Sequence, residues 1–187
     1  MVRSLTLAVL ASLTLGSLSA AETYELDKVH SVALFKVSHL GISNTWGRFN
    51  DVSGTLAWDA DLAACALKIA VKIDSVDTAD AKRDQHLKQA DFFNAKQFPE
   101  ATFVSKSWKK TGEKTFDVTG DLTIHGTTRP VTVPVTLTGK ADTPFKDHRV
   151  GFEGTVTFKR SDFDMKDKLA FAGDEVTLIV AIEAIRK

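Results

Sequence analysis

The sequence predicts an all-β chain, closed into an antiparallel barrel of about eight strands with one short helix at its side. Three observations predict it. Polar and apolar residues alternate with period two through most of the chain after the first twenty residues, so each strand has one dry face and one wet one. Turn-forming residues punctuate these runs, at Asp59-Ala60-Asp61, Thr111-Gly112-Glu113, His125-Gly126 and Asp142 to Asp147. One amphipathic stretch, Val76 to Phe103, breaks the alternation and carries a charged trio, Arg83, Asp84 and His86, ahead of the aromatic residues Phe92, Phe93 and Phe98.

Taken in order, residues 1–21 read as an export signal. Arg3 is the positive start, Leu5 to Leu15 is an apolar run shorter than the roughly 20 residues that span a bilayer, and Ser19 and Ala21 place cleavage after Ala21. Residues 22–187 then form a single domain of 166 residues (187 less 21), long enough to bury a real core. The expected location is the periplasm, with no stable membrane insertion. Without Arg3, 23 basic residues face 24 acidic ones, and this near-neutral, dispersed charge argues against a nucleic-acid partner. Lone Cys65 has no internal disulfide partner and reads as a small buried hydrophobe.

The first strand carries Ser31, Ala33, Phe35, Val37 and His39 on one face. Gly47, Phe49 and Asp51 follow, then Gly54, Leu56 and Trp58 in an adjoining strand. Ile69, Val71 and Ile73 alternate with Lys68, Lys72 and Asp74, and a further strand runs from Ala101 to Lys106. Phe116, Val118, Leu122 and Ile124 form the dry face of the next strand. Val131, Val133, Val135 and Leu137 form another, in which Pro130 and Pro134 limit the donors and suggest an edge or a strand end. Val150, Phe152, Val156 and Phe158 precede the last run, Val176, Leu178, Val180 and Ile182. The helical exception starts near Asp77 or Thr78, either a suitable cap. It continues through Ala79, Arg83, His86, Leu87 and Ala90, and Pro99 forbids helix beyond it.

Spaced elements along the whole domain carry a resemblance. They are Asp27-x-x-His30-Ser31, Phe35-x-Val37-x-His39-Leu40-Gly41, Gly47-x-Phe49, Ser75-Val76-x-Thr78 and Arg83-Asp84-x-His86-Leu87. They continue with Asp91-Phe92-Phe93, Phe98-Pro99-x-Ala101-x-Phe103, Gly120-x-Leu122-x-x-x-Gly126 and Arg160-x-Asp162-Phe163. In order and spacing the chain resembles the YceI-like family of exported bacterial lipid-binding proteins. The resemblance implies a lipocalin-like eight-stranded barrel with a flanking helix and a long internal pocket. It also implies a bound polyisoprenoid lipid, isoprenoid quinone or other long-chain amphiphile, and a homodimer. The Gly-x-Trp motif of true lipocalins is missing, since Trp46 precedes Gly47.

Read from the residues, an inner face of Ala, Val, Ile, Leu and Phe accepts an alkyl chain without desolvating any polar group, although small barrels are also often packed solid. The candidate wall is Ser31, Ala33, Phe35, Val37, His39, Phe49 and Phe103. Arg83 and His86 are candidates for a polar mouth that donates to a headgroup, with Asp84 orienting them or pairing with Arg83 to pin the helix to the rim. Phe92, Phe93 and Phe98 would lie against the chain. Neither a catalytic residue, a metal ligand set nor a cofactor other than the amphiphile is expected: the five histidines are scattered, and Ser31, Ser75 and Ser105 lack a nucleophile elbow. The alternative is a histidine-dependent metal-binding or hydrolytic stress protein.

Overall fold

The computed structural model describes residues 20–187, so the expected export signal lies almost wholly outside the described residues. The strands are β1 (Glu22–Leu26), β2 (Val32–His39), β3 (Ser43–Phe49), β4 (Val52–Trp58), β5 (Ala66–Lys72) and β6 (Val76–Asp77). After helix α1 (Ala81–Leu87) come β7 (Glu100–Lys110), β8 (Thr115–Ile124), β9 (Thr127–Asp142), β10 (His148–Lys159) and β11 (Ala172–Arg186).

The ring has eight positions, β1-β4-β5-β7-β8-β9-β10-β11, closed by antiparallel pairing of β11 with β1. Long β11 serves two shorter strands end to end: Ala184 pairs with Leu26 of β1, and Ala181 pairs with Val32 of β2. Likewise β3 pairs with β2 and β4 with β1. The segments β1–β2 and β3–β4 thus act as two interrupted strands. β1 is an addition to the reading from periodicity, which began the first strand at Ser31.

The handover from β1 to β2 is locked by ions. Asp27 accepts from its own turn at Val29 N (2.9 Å), bonds His30 Nδ1 (2.8 Å) and takes Arg149 Nη1 (2.8 Å). Those donors, His30 first, hold the Asp27 carboxyl down to about 2. Arg149 also grips Asp147 and Glu183. Near this junction Tyr24 is buried, and burial together with its bond to Glu22 pushes its hydroxyl up to about 12.

The two ends of the barrel are built differently. At the closed end Trp58, Trp108, Phe116 and Phe152 meet edge to face. Trp58 lies 5.5, 5.4 and 5.0 Å from the other three, and Trp108 lies 5.7 Å from Phe152. Toward the other end valines, leucines, alanines and phenylalanines line an apolar cavity.

One part of the wall is bonded on one side only. β9 pairs with β10 only from Val135 onward, so Thr127 to Pro134 have β8 as their one strand partner, with Thr127 Oγ1 also donating to Asp164 (2.9 Å). Pro130 and Pro134 have no amide to offer a second neighbour, so the half of β9 that carries them behaves as an edge inside a closed ring. The β8–β9 connection is a two-residue turn, with His125 (φ 51°) and Gly126 (φ 73°) both left-handed as a tight hairpin requires. Helix α1 is capped by Asp80, whose side chain accepts from Arg83 N (2.9 Å), in place of the expected Asp77 or Thr78. It ends at Leu87, earlier than the helical spacing to Ala90 suggests, and turns carry the chain to Pro99, with Asn94 left-handed at φ 48°.

Candidate functional site

Inside the upper part of the barrel lies an apolar cavity of about 190 Å³. Its wall is a continuous belt contributed by the inward faces of β2, β5 and β7 to β11, floored by the rings of Trp108 and Phe152. A row of small residues makes the room. Gly154, Val180 and Ala33 stand side by side in register across β10, β11 and β2, so that part of the wall projects little. Gly47 has a related role: a Cβ there would lie 2.2 Å from Phe35 Cζ and 2.8 Å from Thr78 Cγ2, so only glycine lets the Phe35 ring lie across β3.

Of the candidate residues, Ala33, Phe35, Val37, Phe49, Phe92, Phe93 and Phe103 line this cavity. Phe35, Phe49 and Phe93 form a ladder, with centroids 5.6 and 5.7 Å apart. Two candidates lie elsewhere. Ser31 is buried, but its hydroxyl donates to Glu183 O and accepts from Glu183 N (both 3.2 Å), closing the β2–β11 seam. Phe98 packs against the His125 ring (5.0 Å) and over Gly126, outside the barrel lumen. In both cases strand or cluster membership suggested a direction that local hydrogen bonding or the hairpin redirects.

A second pocket of about 380 Å³ adjoins the cavity at its open end and shares Phe35, Val37, Leu87, Phe92 and Ala172 with it. Its polar lining is Ser38, His39, Thr45, Arg83, His86 and Lys168. Four of these six are cationic or able to become so, and among the described residues no carboxylate lines it. Of the two readings of Arg83 and Asp84, pinning of the helix holds, but through Thr78 and not through an ion pair. Both side chains converge on buried Thr78: Arg83 Nε donates to its hydroxyl (2.7 Å) and Nη2 to its carbonyl (2.6 Å). Asp84 accepts from the Thr78 amide (2.9 Å) and hydroxyl (2.6 Å). That relay pins the helix to the end of β6 and leaves Arg83 Nη1 for the pocket. Asp91 stands behind the lining and joins the two sides of the mouth, 2.7 Å from His86 Nε2 and 3.9 Å from Lys168 Nζ.

The residue that sequence reasoning placed only inside a motif is Arg160. It is 4 % exposed. Its guanidinium donates to four backbone carbonyls, Gly173 (3.1 Å), Met165 (2.9 Å), Asp167 (2.7 Å) and Ala172 (2.9 Å). Burial lowers its pKa. The segment from Asp164 to Gly173 is therefore wound around one side chain, and this places Lys168 and Phe171 at the mouth. The inward valines and leucines of β8 to β11 also join the site; alternation marked them as a dry face without showing that this face surrounds a cavity.

The hydroxyls of Ser75 and Ser105 are engaged in the fold. Ser75 Oγ donates to Lys72 O (2.7 Å) and accepts from Asp51 N (3.0 Å), while Ser105 Oγ accepts from Leu67 N (2.8 Å). Burial pushes the Cys65 thiol up, away from the thiolate. Asp27, His30 and Glu183 approach one another closely enough to hold a cation, but Arg149 already bridges the two carboxylates.

A closed antiparallel barrel with an apolar lumen and a polar mouth is the architecture of a barrel that binds small apolar molecules. Residues 24–184 match the YceI-like domain, and the chain belongs to that family. It is 42% identical over 182 residues to a UPF0312 protein of Ectopseudomonas mendocina, covering 96% of this chain and 95% of that one. Among solved structures it is similar to Burkholderia cenocepacia BcnA, with TM-score 0.76 and 29% identity over 84% of this chain and 98% of that one. The fold is shared with a polyisoprenoid-binding domain from Saccharophagus degradans, with TM-score 0.72 and 16% identity over 88% and 98% of the two chains.

Proposed function

We propose that the protein is a periplasmic binding protein that sequesters or carries one long-chain isoprenoid lipid or quinone, tail in the barrel and head at the mouth. The observation that carries this is the continuity of an apolar lumen with a cationic, carboxylate-free pocket, which matches the two halves of an amphiphile. Burying ten chain carbons is worth about 8 kcal/mol before the cost of ordering the chain. Arg83, His86, His39 and Lys168 then offer donors to a phosphate or a quinone carbonyl. Binding is the activity, since the serine hydroxyls and the cysteine thiol serve the fold. The periplasmic location rests on the export signal read from Arg3, the apolar run Leu5 to Leu15 and Ala21, and a homodimeric state on the resemblance.

Native mass spectrometry of protein purified from its own cells, followed by lipid extraction, tests this. The expected result is one long-chain amphiphile per barrel, lost on denaturation. Protein that repeatedly carries no lipid, and takes up none from added isoprenoid quinone or polyprenyl phosphate, would refute it.

A further inference from the structure

Eight large apolar side chains are exposed among the described residues, and five of them surround the mouth: Leu40 (48 %), Ile42 (83 %), Trp46 (54 %), Leu169 (39 %) and Phe171 (58 %). They are joined through the backbone. Leu40 N donates to Phe171 O (2.9 Å), Ile42 N to His39 O (3.0 Å) and Phe171 N to Lys168 O (2.9 Å). The β2–β3 turn and the strap wound on Arg160 therefore form one tip. Trp46 extends that tip down the outer face of β3, with Lys36 Nζ 5.8 Å from its ring centroid.

Scattered single apolar residues on a surface need no explanation, whereas a contiguous group beside an apolar cavity does. The charges around the tip indicate what covers it. Lys36 and Arg48, on the same outward face as Trp46, have no carboxylate within 4 Å among the described residues. Lys168 reaches Asp91 only at 3.9 Å, and Lys166 is paired with Asp164 at 3.1 Å. Asp164 and Asp167 on the strap, and Asp77 opposite Arg48 in the β3–β6 pair, offset part of this charge. Apolar tips, an exposed tryptophan and flanking lysine and arginine are the combination that partitions into the headgroup region of an anionic bilayer.

We propose that this mouth-side tip is a docking surface for a bilayer containing anionic lipid. Ile42, Leu169 and Phe171 enter the interface, and Lys36, Arg48 and Lys168 meet lipid phosphates. The proposal rests on the binding function inferred above and supplies its transfer step. With the mouth seated on the bilayer, a chain slides between membrane and lumen without exposing each methylene to water. No covalent step is involved.

The test is flotation of the mature protein with phosphatidylethanolamine vesicles containing phosphatidylglycerol, beside the Ile42→Asp/Leu169→Asp double variant. Neither substituted residue lines the cavity or the mouth pocket. The wild type is expected to float with the vesicles, less so at high salt, and to shift its tryptophan emission to the blue. Trp46→Phe should float normally without that shift, because Trp58 and Trp108 sit in the closed-end cluster. The double variant is expected to lose roughly tenfold or more in partitioning with unchanged circular dichroism, melting and lipid content. Wild type that stays off the vesicles, or a double variant that floats equally well, would overturn the proposal. So would a double variant that instead converts a dimer to monomers in sedimentation velocity, which would make the tip an interface between copies. Protein that docks yet carries no amphiphile would sink the binding function and leave the docking surface standing.

Discussion

Replacing Val180 with Trp tests whether a chain runs through the lumen. Val180 lines the cavity, and its neighbours in register are Gly154 on one side and Ala33 on the other. An indole at this position meets no bulky side chain in its own row and projects into the cavity. It would exclude about four methylenes of a bound chain, and at about 0.8 kcal/mol each that is about 3 kcal/mol. The expected loss of affinity is about 200-fold. Because the ring enters space rather than a filled core, the folding cost should stay below the ~1–3 kcal/mol of overpacking. The assay is titration with an isoprenoid quinone, read by native mass spectrometry, beside urea unfolding. Thr155→Trp on the exposed face of β10 is the control, expected to bind as wild type. A Val180→Trp protein that binds with wild-type affinity and unfolds as wild type would refute the placement of the chain along this wall.

Other substitutions separate the fold from the site. Arg160→Leu removes the donor for four carbonyls and should cost about 3 kcal/mol or more; limited proteolysis should cut first between residues 164 and 173, and a strap as resistant as wild type would contradict the winding described. Trp58→Ala opens the closed-end cluster and should destabilise by ~3–5 kcal/mol in urea unfolding, with an effect below 1 kcal/mol arguing against that cluster as a plug. Asp27→Asn should show a pH-dependent deficit. The folded carboxyl titrates at about 2, below its ordinary 3.8, so its contribution is present above that ordinary value and is lost as pH falls toward 2. The bond to Asp27 raises the His30 pKa, so that share is present below about pH 6.5 and is lost as pH rises through the raised value. The melting gap between wild type and variant should therefore be widest between about pH 4 and 6.5, and a gap that persists unchanged at pH 2 would refute the assignment.

The barrel was largely legible in the sequence, because period-two alternation is a direct consequence of strand geometry. What escaped it follows from lengths and partners. β1 is five residues with only Tyr24 and Leu26 buried, too short a run to stand out. Helix α1 was correctly found, but three acidic or hydroxyl residues within four positions made its cap ambiguous, and Asp80 takes it because its side chain reaches Arg83 N. The inner wall was legible as a face, while its curvature around a cavity was not: that depends on small residues aligning across three strands, which no single strand displays. Ser31 shares the parity of Ala33 and Phe35, yet it stands before β2 begins and bonds β11 instead. Arg160 stood in a motif whose meaning is tertiary, since its acceptors lie between five and thirteen residues downstream.

The division of the barrel into a filled end and an open one follows from composition along the strands. Bulky rings occupy the inward positions of β4, β7, β8 and β10 where those strands meet at the closed end, and four aromatic rings suffice to fill a cross-section. Toward the mouth the same strands offer mainly Val, Leu, Ile, Ala and Gly, with single rings at Phe103 and Phe158, and the wall loses its second hydrogen-bonded strand neighbour along the proline half of β9. A barrel packed with rings throughout would be more stable and would admit nothing. The strap on Arg160 and the helix pinned by Thr78 supply at the mouth the order that the open lumen does not. Their bonds run to backbone atoms and to one threonine, so the mouth holds its shape through contacts that need no help from a bound chain. On the proposed function, Arg83, His86, His39 and Lys168 would then stand ready for a headgroup beforehand, and affinity for the amphiphile would not be spent on assembling its own site.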